Sequence, residues 1–223
     1  SIILTFAGRI DLAPFAIFLG GIFDFFDGFL ARKLKVSGEM GKQLDSLADM
    51  VTFGLAPGFL MMVVIIVSIY IDVPYEATNF ASHVHFELQN WMNAIFYNVP
   101  NQMDAPIKWL PLFALVIPFF SMFRLAKFNI DTRQTTSFIG VPTPITGLTC
   151  IAWGIIDGQV KDFIFDNQWV FVLYCILVSL LLVSEIKMPS LKFKKGNSSQ
   201  YTQHLILLVI GIVSLLFFGW LCV

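Results

Sequence analysis

An all-α polytopic membrane bundle is the fold this sequence predicts, with about six spanning helices and the stub of a truncated first helix. Three observations point there. Apolar residues make up 57% of the 223 and charged residues only 13%, about half the charge of a soluble domain. The apolar residues, 24 Phe among them, gather into segments suited to crossing a bilayer. The basic residues alternate between the two sides that those crossings define. A net charge of −1 with no basic tail gives no reason to expect nucleic acid.

The segments follow in order. Ser1–Ala7 is apolar but too short to span, since a helix needs about 20 residues. It has no basic start or cleavage site before it, so it reads as the far end of a helix, not a signal peptide. Spanning helices are then expected at Ala13–Lys35, Gln43–Ile71, Trp109–Phe128, Pro142–Ile156, Trp169–Ser184 and His204–Val223. The whole chain, 1–223, reads as one integral membrane domain, with His204–Val223 an additional C-terminal helix.

The positive-inside rule orients these crossings. Arg32, Lys33, Lys35, Lys42, Arg124, Lys127, Arg133, Lys187, Lys192, Lys194 and Lys195 fall on one side. Only Arg9, Lys108 and Lys161 fall on the other. The side holding Arg32 is therefore expected to be cytoplasmic, as is the missing N-terminus. Asp72–Lys108 becomes a long extracytoplasmic loop. Within it Leu88, Trp91, Met92, Ile95 and Phe96 recur at helical spacing opposite Glu87, Gln89, Asn90 and Asn93, which suggests an amphipathic interfacial helix. His83 and His85 lack a third ligand and read as solvated loop residues. Arg133, Lys187 and the Lys192–Lys195 cluster read as surface anchors against anionic headgroups. Cys150, Cys175 and Cys222 have no ligand spacing and read as small packing residues.

Four acids break this apolar pattern: Asp24, Asp27, Asp45 and Asp49. A carboxylate deep in a bilayer costs about 2.5–3.5 kcal/mol even on the lenient scale, so four of them need compensation. Asp24 and Asp27 are three apart, and Asp45 and Asp49 four apart, so each pair shares one helix face. A short connection makes the helices antiparallel neighbours, and the two pairs can converge. Such a set suits two hard cations, Mg²⁺ or Mn²⁺, of the kind that clamp phosphoryl oxygens. Gly28 and Ala31 leave a slot on the same face, and Arg32 can fork onto phosphate at its mouth. Intramembrane acids also build proton relays, and Gly and Ala also serve helix packing. Eight residues at fixed positions fit the metal reading better.

The pattern Asp24…Asp27-Gly28…Ala31-Arg32…Gly41…Asp45…Asp49 resembles the signature of the CDP-alcohol phosphatidyltransferases, polytopic enzymes that displace CMP from a CDP-alcohol with a second alcohol. Further stretches resemble the family's phosphatidylserine synthase branch: Asp45–Pro57, Phe123-Arg124-Leu-Ala-Lys127-Phe-Asn129, Phe138–Pro144 and Val183–Pro189. The Pro-Asn-containing first helix of the family is absent from this chain.

The resemblance implies that Asp24, Asp27, Asp45 and Asp49 hold two divalent cations, and that Asp49 is the general base. It also implies that Asp27, Gly28, Ala31, Arg32 and Gly41 line the CDP site. The expected substrates are CDP-diacylglycerol and L-serine, with Arg124, Lys127, Asn129 and Thr143 taking the serine and its phosphate. A homodimer in a prokaryotic cytoplasmic membrane, its site open to the cytoplasm, is the accompanying expectation. Two alternatives stand beside it. Glycerol 3-phosphate or an inositol phosphate as acceptor would demand a more basic pocket. A cation-coupled transporter would place its ion site near the midplane.

Overall fold

The computed structural model describes residues 1–34, 38–69, 80–97, 107–130, 138–155, 167–185 and 187–188. Helices dominate. In chain order they are α1 (Ile2–Phe6), α2 (Ala13–Leu34), α3 (Glu39–Asp49), α4 (Ala56–Ile69), α5 (Phe80–Phe96), α6 (Val116–Ile130), α7 (Thr143–Ile155) and α8 (Gln168–Val183). A two-residue antiparallel pair joins β1 (Phe138–Ile139) to β2 (Lys187–Met188), with Phe138 opposite Met188.

Three described helical runs are long and apolar enough to cross a membrane: Ala13–Leu30, Glu39–Ile69 and Ile107–Ile130. Thr143–Ala152 and Gln168–Val183 are shorter apolar helices. Expectations for His204–Val223, Arg133 and the Lys192–Lys195 cluster lie outside the described residues. The second run starts four residues before the predicted Gln43, because Gly38 takes an extended conformation and Glu39 sits in the first turn, where helix N-termini favour acids.

The Glu39–Ile69 run is not uniform. Between α3 and α4 it widens into a π-helical stretch, Met50–Leu55. Pro57 accounts for the widening: it has no N–H to offer the Phe53 carbonyl four residues back. The run before α6, Ile107–Leu115, is likewise a tight 3-10 helix that contains Pro111.

Helix α4 forms the buried axis. Leu60, Met61, Val63, Ile65 and Ile66 are almost wholly enclosed by α1, α5, α7, α8 and the 3-10 run. By contrast, α2 turns Phe15, Phe18, Leu19, Phe23 and Phe26 outward, as suits a lipid-facing surface. Close approach depends on glycine. Phe53 is wedged between α2 and α7, where a Cβ on Gly21 would lie 2.8 Å, and one on Gly147 2.9 Å, from its ring. Gly54 and Gly58 meet α6 in the same way, through Ser121 and Pro118. Buried Cys150 and Cys175 act as packing residues.

The outer segment departs from expectation. His83 and His85 are on a helix, α5, and not on a loop. Glu87 is not on the polar face but fully buried beside Val84, Leu88 and Trp91. Its position explains this: 84, 87, 88 and 91 form one helical stripe, and that stripe packs on α4. Phe96, assigned to the apolar face, is exposed instead. Trp91 fixes the segment by donating its indole N–H to the Lys108 carbonyl at 3.0 Å.

Burial raises the Glu87 carboxyl above its ordinary value of 4.5, partly offset by the nearby Asn90 amide. His83 Nδ1 lies 3.8 Å away. The folded state therefore keeps this proton to higher pH than the unfolded chain, and stability declines as pH rises through the raised value. Glu87→Gln should flatten that decline in melting temperature against pH; an unchanged slope would dissociate it from Glu87. Gly147→Ala should lower the melting temperature by overpacking Phe53, at a cost of about 1–3 kcal/mol. Gly41→Ala, whose added methyl meets open space, should produce no loss.

Candidate active site

The helix ends that carry the candidate residues meet at one side of the bundle. Ser46 on α3 bonds with Asn129 on α6: the Asn129 amide donates to Ser46 Oγ at 2.9 Å, and Ser46 Oγ also lies 3.2 Å from Asn129 Oδ1. Arg124 donates to Thr143 Oγ1 at 3.3 Å, which joins α6 to the start of α7. Lys127 pairs with Glu185 at 3.1 Å, just beyond the end of α8. These three ties gather ends that the charge alternation had assigned to one side.

The aspartates come together as their spacing implies. One carboxylate oxygen from each of Asp24, Asp27 and Asp45 lies within 4.8 Å of the others. Magnesium binds oxygen at about 2.0–2.1 Å, so modest side-chain rotation would bring all three onto one ion. Asp49 lies deeper, close to Asp24 and within electrostatic range of Arg124. Its Oδ1 is buried with no hydrogen-bond partner among the described residues. Among the described side chains, of which Arg32 is not one, no Lys or Arg forms a salt bridge with Asp24, Asp27 or Asp45. Converging acids beside an enclosed carboxylate oxygen fit a divalent cation by both charge and donor type.

Space next to this cluster is open. A Cβ on Gly28 or on Gly41 meets no atom within 4 Å, so ligand can approach the backbone of α2 and α3 directly. Asp27 and Asp45 are exposed, whereas Asp24 and Asp49 are partly enclosed. Ala31 and Arg32 continue α2 by one turn toward its end.

The second group is organised by α6. Arg124 is buried, its guanidinium held by Thr143 and its Nε without a partner among the described residues. Lys127 follows three residues later on the same face and is partly exposed. Asn129 is tied to the aspartate helix rather than to Arg124 or Lys127. Thr143 is fully buried and is presented by the turn before α7. There Gly140 takes φ +78, and its missing Cβ allows approach to the Leu182 and Ser184 carbonyls. The Val141 N–H donates to Leu181 O at 3.2 Å, closing the turn onto α8.

Sequence reasoning passed over two participants. Ser46, between Asp45 and Asp49, ties the acid helix to α6. Glu185 lies within the Val183–Pro189 stretch and partners Lys127. Position inside a motif was the available signal for both.

The family model for CDP-alcohol phosphatidyltransferases matches residues 1–221. The CDP-diacylglycerol–serine O-phosphatidyltransferase of Bacillus subtilis is 32% identical over 184 residues, covering 82% of this chain and 78% of that protein. The protein of that name from Helicobacter pylori is 27% identical over 198 residues, covering 88% of this chain and 66% of its own length. The Saccharomyces cerevisiae protein of that name is 47% identical over 167 residues, covering 71% of this chain and 46% of its own length. No solved structure matches the chain. With nearly every residue matched by the family model and the aspartates converging, this chain belongs to the CDP-alcohol phosphatidyltransferase family.

Proposed function

We propose that this protein is a phosphatidylserine synthase, transferring the phosphatidyl group of CDP-diacylglycerol to L-serine with release of CMP. The observation that carries the reading is the convergence of Asp24, Asp27 and Asp45 with Asp49 beside them. Serine as acceptor draws support from relatives named for that activity and from the ties among the Arg124, Lys127 and Thr143 segments.

Asp24, Asp27, Asp45 and Asp49 would hold two divalent cations, Mg²⁺ or Mn²⁺. When bound, these supply positive charge that binds the CDP pyrophosphate and offsets charge on the phosphoryl oxygens. By the family signature, Asp27, Gly28, Ala31, Arg32 and Gly41 would line the nucleotide slot, with Arg32 the residue suited to fork onto phosphate. The diacylglycerol tails stay in the bilayer. The head group enters from the side of the bundle where the helix ends meet, and that side faces the cytoplasm by the distribution of Lys and Arg. Family membership supports a homodimer.

Asp49 takes the proton of the serine hydroxyl as that oxygen forms its bond to the β-phosphorus. The bond from phosphorus to the bridging oxygen breaks, and that oxygen leaves with CMP. Asp49 then returns the proton to water. Enclosure suits Asp49 to this role, since it excludes competing water from the base. Arg124 and Lys127 bind the acceptor carboxylate, while Asn129 holds α6 against α3 through Ser46. The basic residues described here suit one carboxylate better than an added phosphate. Asp27 and Asp45 are exposed, unlike the enclosed ion site that a transporter builds between its repeats.

With Mn²⁺ or Mg²⁺, CDP-diacylglycerol should release CMP in the presence of serine but not glycerol 3-phosphate or inositol phosphate. A chelator should stop the release. Release with another acceptor and none with serine would overturn the assignment. Asp49→Asn should lower kcat by about 10²–10⁴ while CDP-diacylglycerol binding remains measurable; full activity would remove Asp49 from the role. Gly28→Val should leave the melting temperature unchanged and abolish CDP binding, because its side chain projects into open space.

A further inference from the structure

Serine differs from the other alcohols in carrying an ammonium and a carboxylate on one carbon. An acceptor site that selects it must present opposite charges at a matching separation. Arg124, Lys127, Asn129 and Thr143 offer cations and neutral groups, and none supplies a negative charge for the ammonium. Glu185 does. Its Oε1 accepts from Lys127 Nζ at 3.1 Å, and its side chain is 75% exposed, so its remaining lone pairs are open to a ligand.

An exposed ion pair contributes only about 0–1 kcal/mol to stability, so stapling α6 to α8 is a weak reason for this one. Its placement is more informative. Glu185 follows α8 directly and precedes β2. The neighbouring backbone is held by the β1–β2 pair, by Val141 N–H on Leu181 O, and by the close approach of Gly140 to the Ser184 carbonyl. Lys127 is three residues from Arg124 along α6, and Arg124 lies within electrostatic range of Asp49. The pair is therefore anchored on a fixed turn, on the face of α6 that leads to the acids.

We propose that Glu185 and Lys127 together read the acceptor zwitterion, Glu185 receiving the ammonium and Lys127 the carboxylate. Bound serine completes an alternating square of four charges in which each neighbour is of opposite sign. The same carboxylate repels acceptors that carry only negative charge, which makes Glu185 a selectivity determinant against phosphorylated alcohols and hydroxy acids. This inference rests on serine being the acceptor.

The test compares L-serine with glyceric acid, in which a hydroxyl replaces the ammonium, in CMP release by the full chain. Serine-dependent release by the unaltered protein tests the assigned reaction by itself. For Glu185→Gln, KM for serine should rise about tenfold with KM for CDP-diacylglycerol unchanged. Its rate with glyceric acid should hold or rise, so the serine-to-glycerate ratio of kcat/KM falls at least tenfold. Glu185→Asp, which keeps the charge, should restore most of that ratio. Equal loss with both acceptors, or a Glu185→Asp protein as indiscriminate as Glu185→Gln, would overturn the proposal and leave the pair as a staple between helices. No serine-dependent release from the unaltered protein would overturn both readings.

Discussion

Phe53 is the wedge on which the arrangement of helices depends. Its ring occupies the space left by two missing side chains, Gly21 on α2 and Gly147 on α7, and so fixes three helical elements at one height. In a bilayer the hydrophobic effect gives helices little reason to associate, and close packing through small residues takes its place. Asp24 lies one turn beyond Gly21, and Asp49 one turn before Phe53. The distance between the two acid pairs is thus set by an apolar contact adjoining them, not by the acids, whose like charges push apart.

Helix α6 carries that order across to the acceptor side. At its inner end Arg124, Lys127 and Asn129 contact three different segments: the start of α7, the end of α8, and α3. Farther along, Pro118 and Ser121 lie against Gly58 and Gly54. One helix therefore meets the nucleotide half through a hydrogen bond and the acceptor half through charge, while its opposite end is buried in the core. This connects the packing of the bundle to the relative position of two substrates that must meet in line.

Much of this was legible in the chain. Spacings of three and four residues between acids fix their faces, and eight matched positions fixed the family. Among the described residues, the helix spans followed from apolar length within a few residues of the observed bounds. What the pattern concealed has physical causes. Glu87 was assigned to the polar face because a carboxylate normally faces water, yet its spacing from Val84, Leu88 and Trp91 places it on the packed stripe. The two histidines were assigned to a loop because isolated polar residues outside a span suggest one, whereas the neighbouring apolar stripe continues the helix through them. The partnerships of Ser46 and Glu185 join residues 83 and 58 positions apart, and no local period reports such contacts.

The π-helical stretch Met50–Leu55 sits between the acid-bearing turns and the buried axis. A residue accommodated there shifts the azimuth of everything on one side of it relative to the other by about 100°. The acids can thus point at solvent-borne ligands while α4 keeps its own seams against α7 and the 3-10 run. Each half of this rod answers to a different selective demand, and the widened turn is the joint that lets both be met by one continuous backbone.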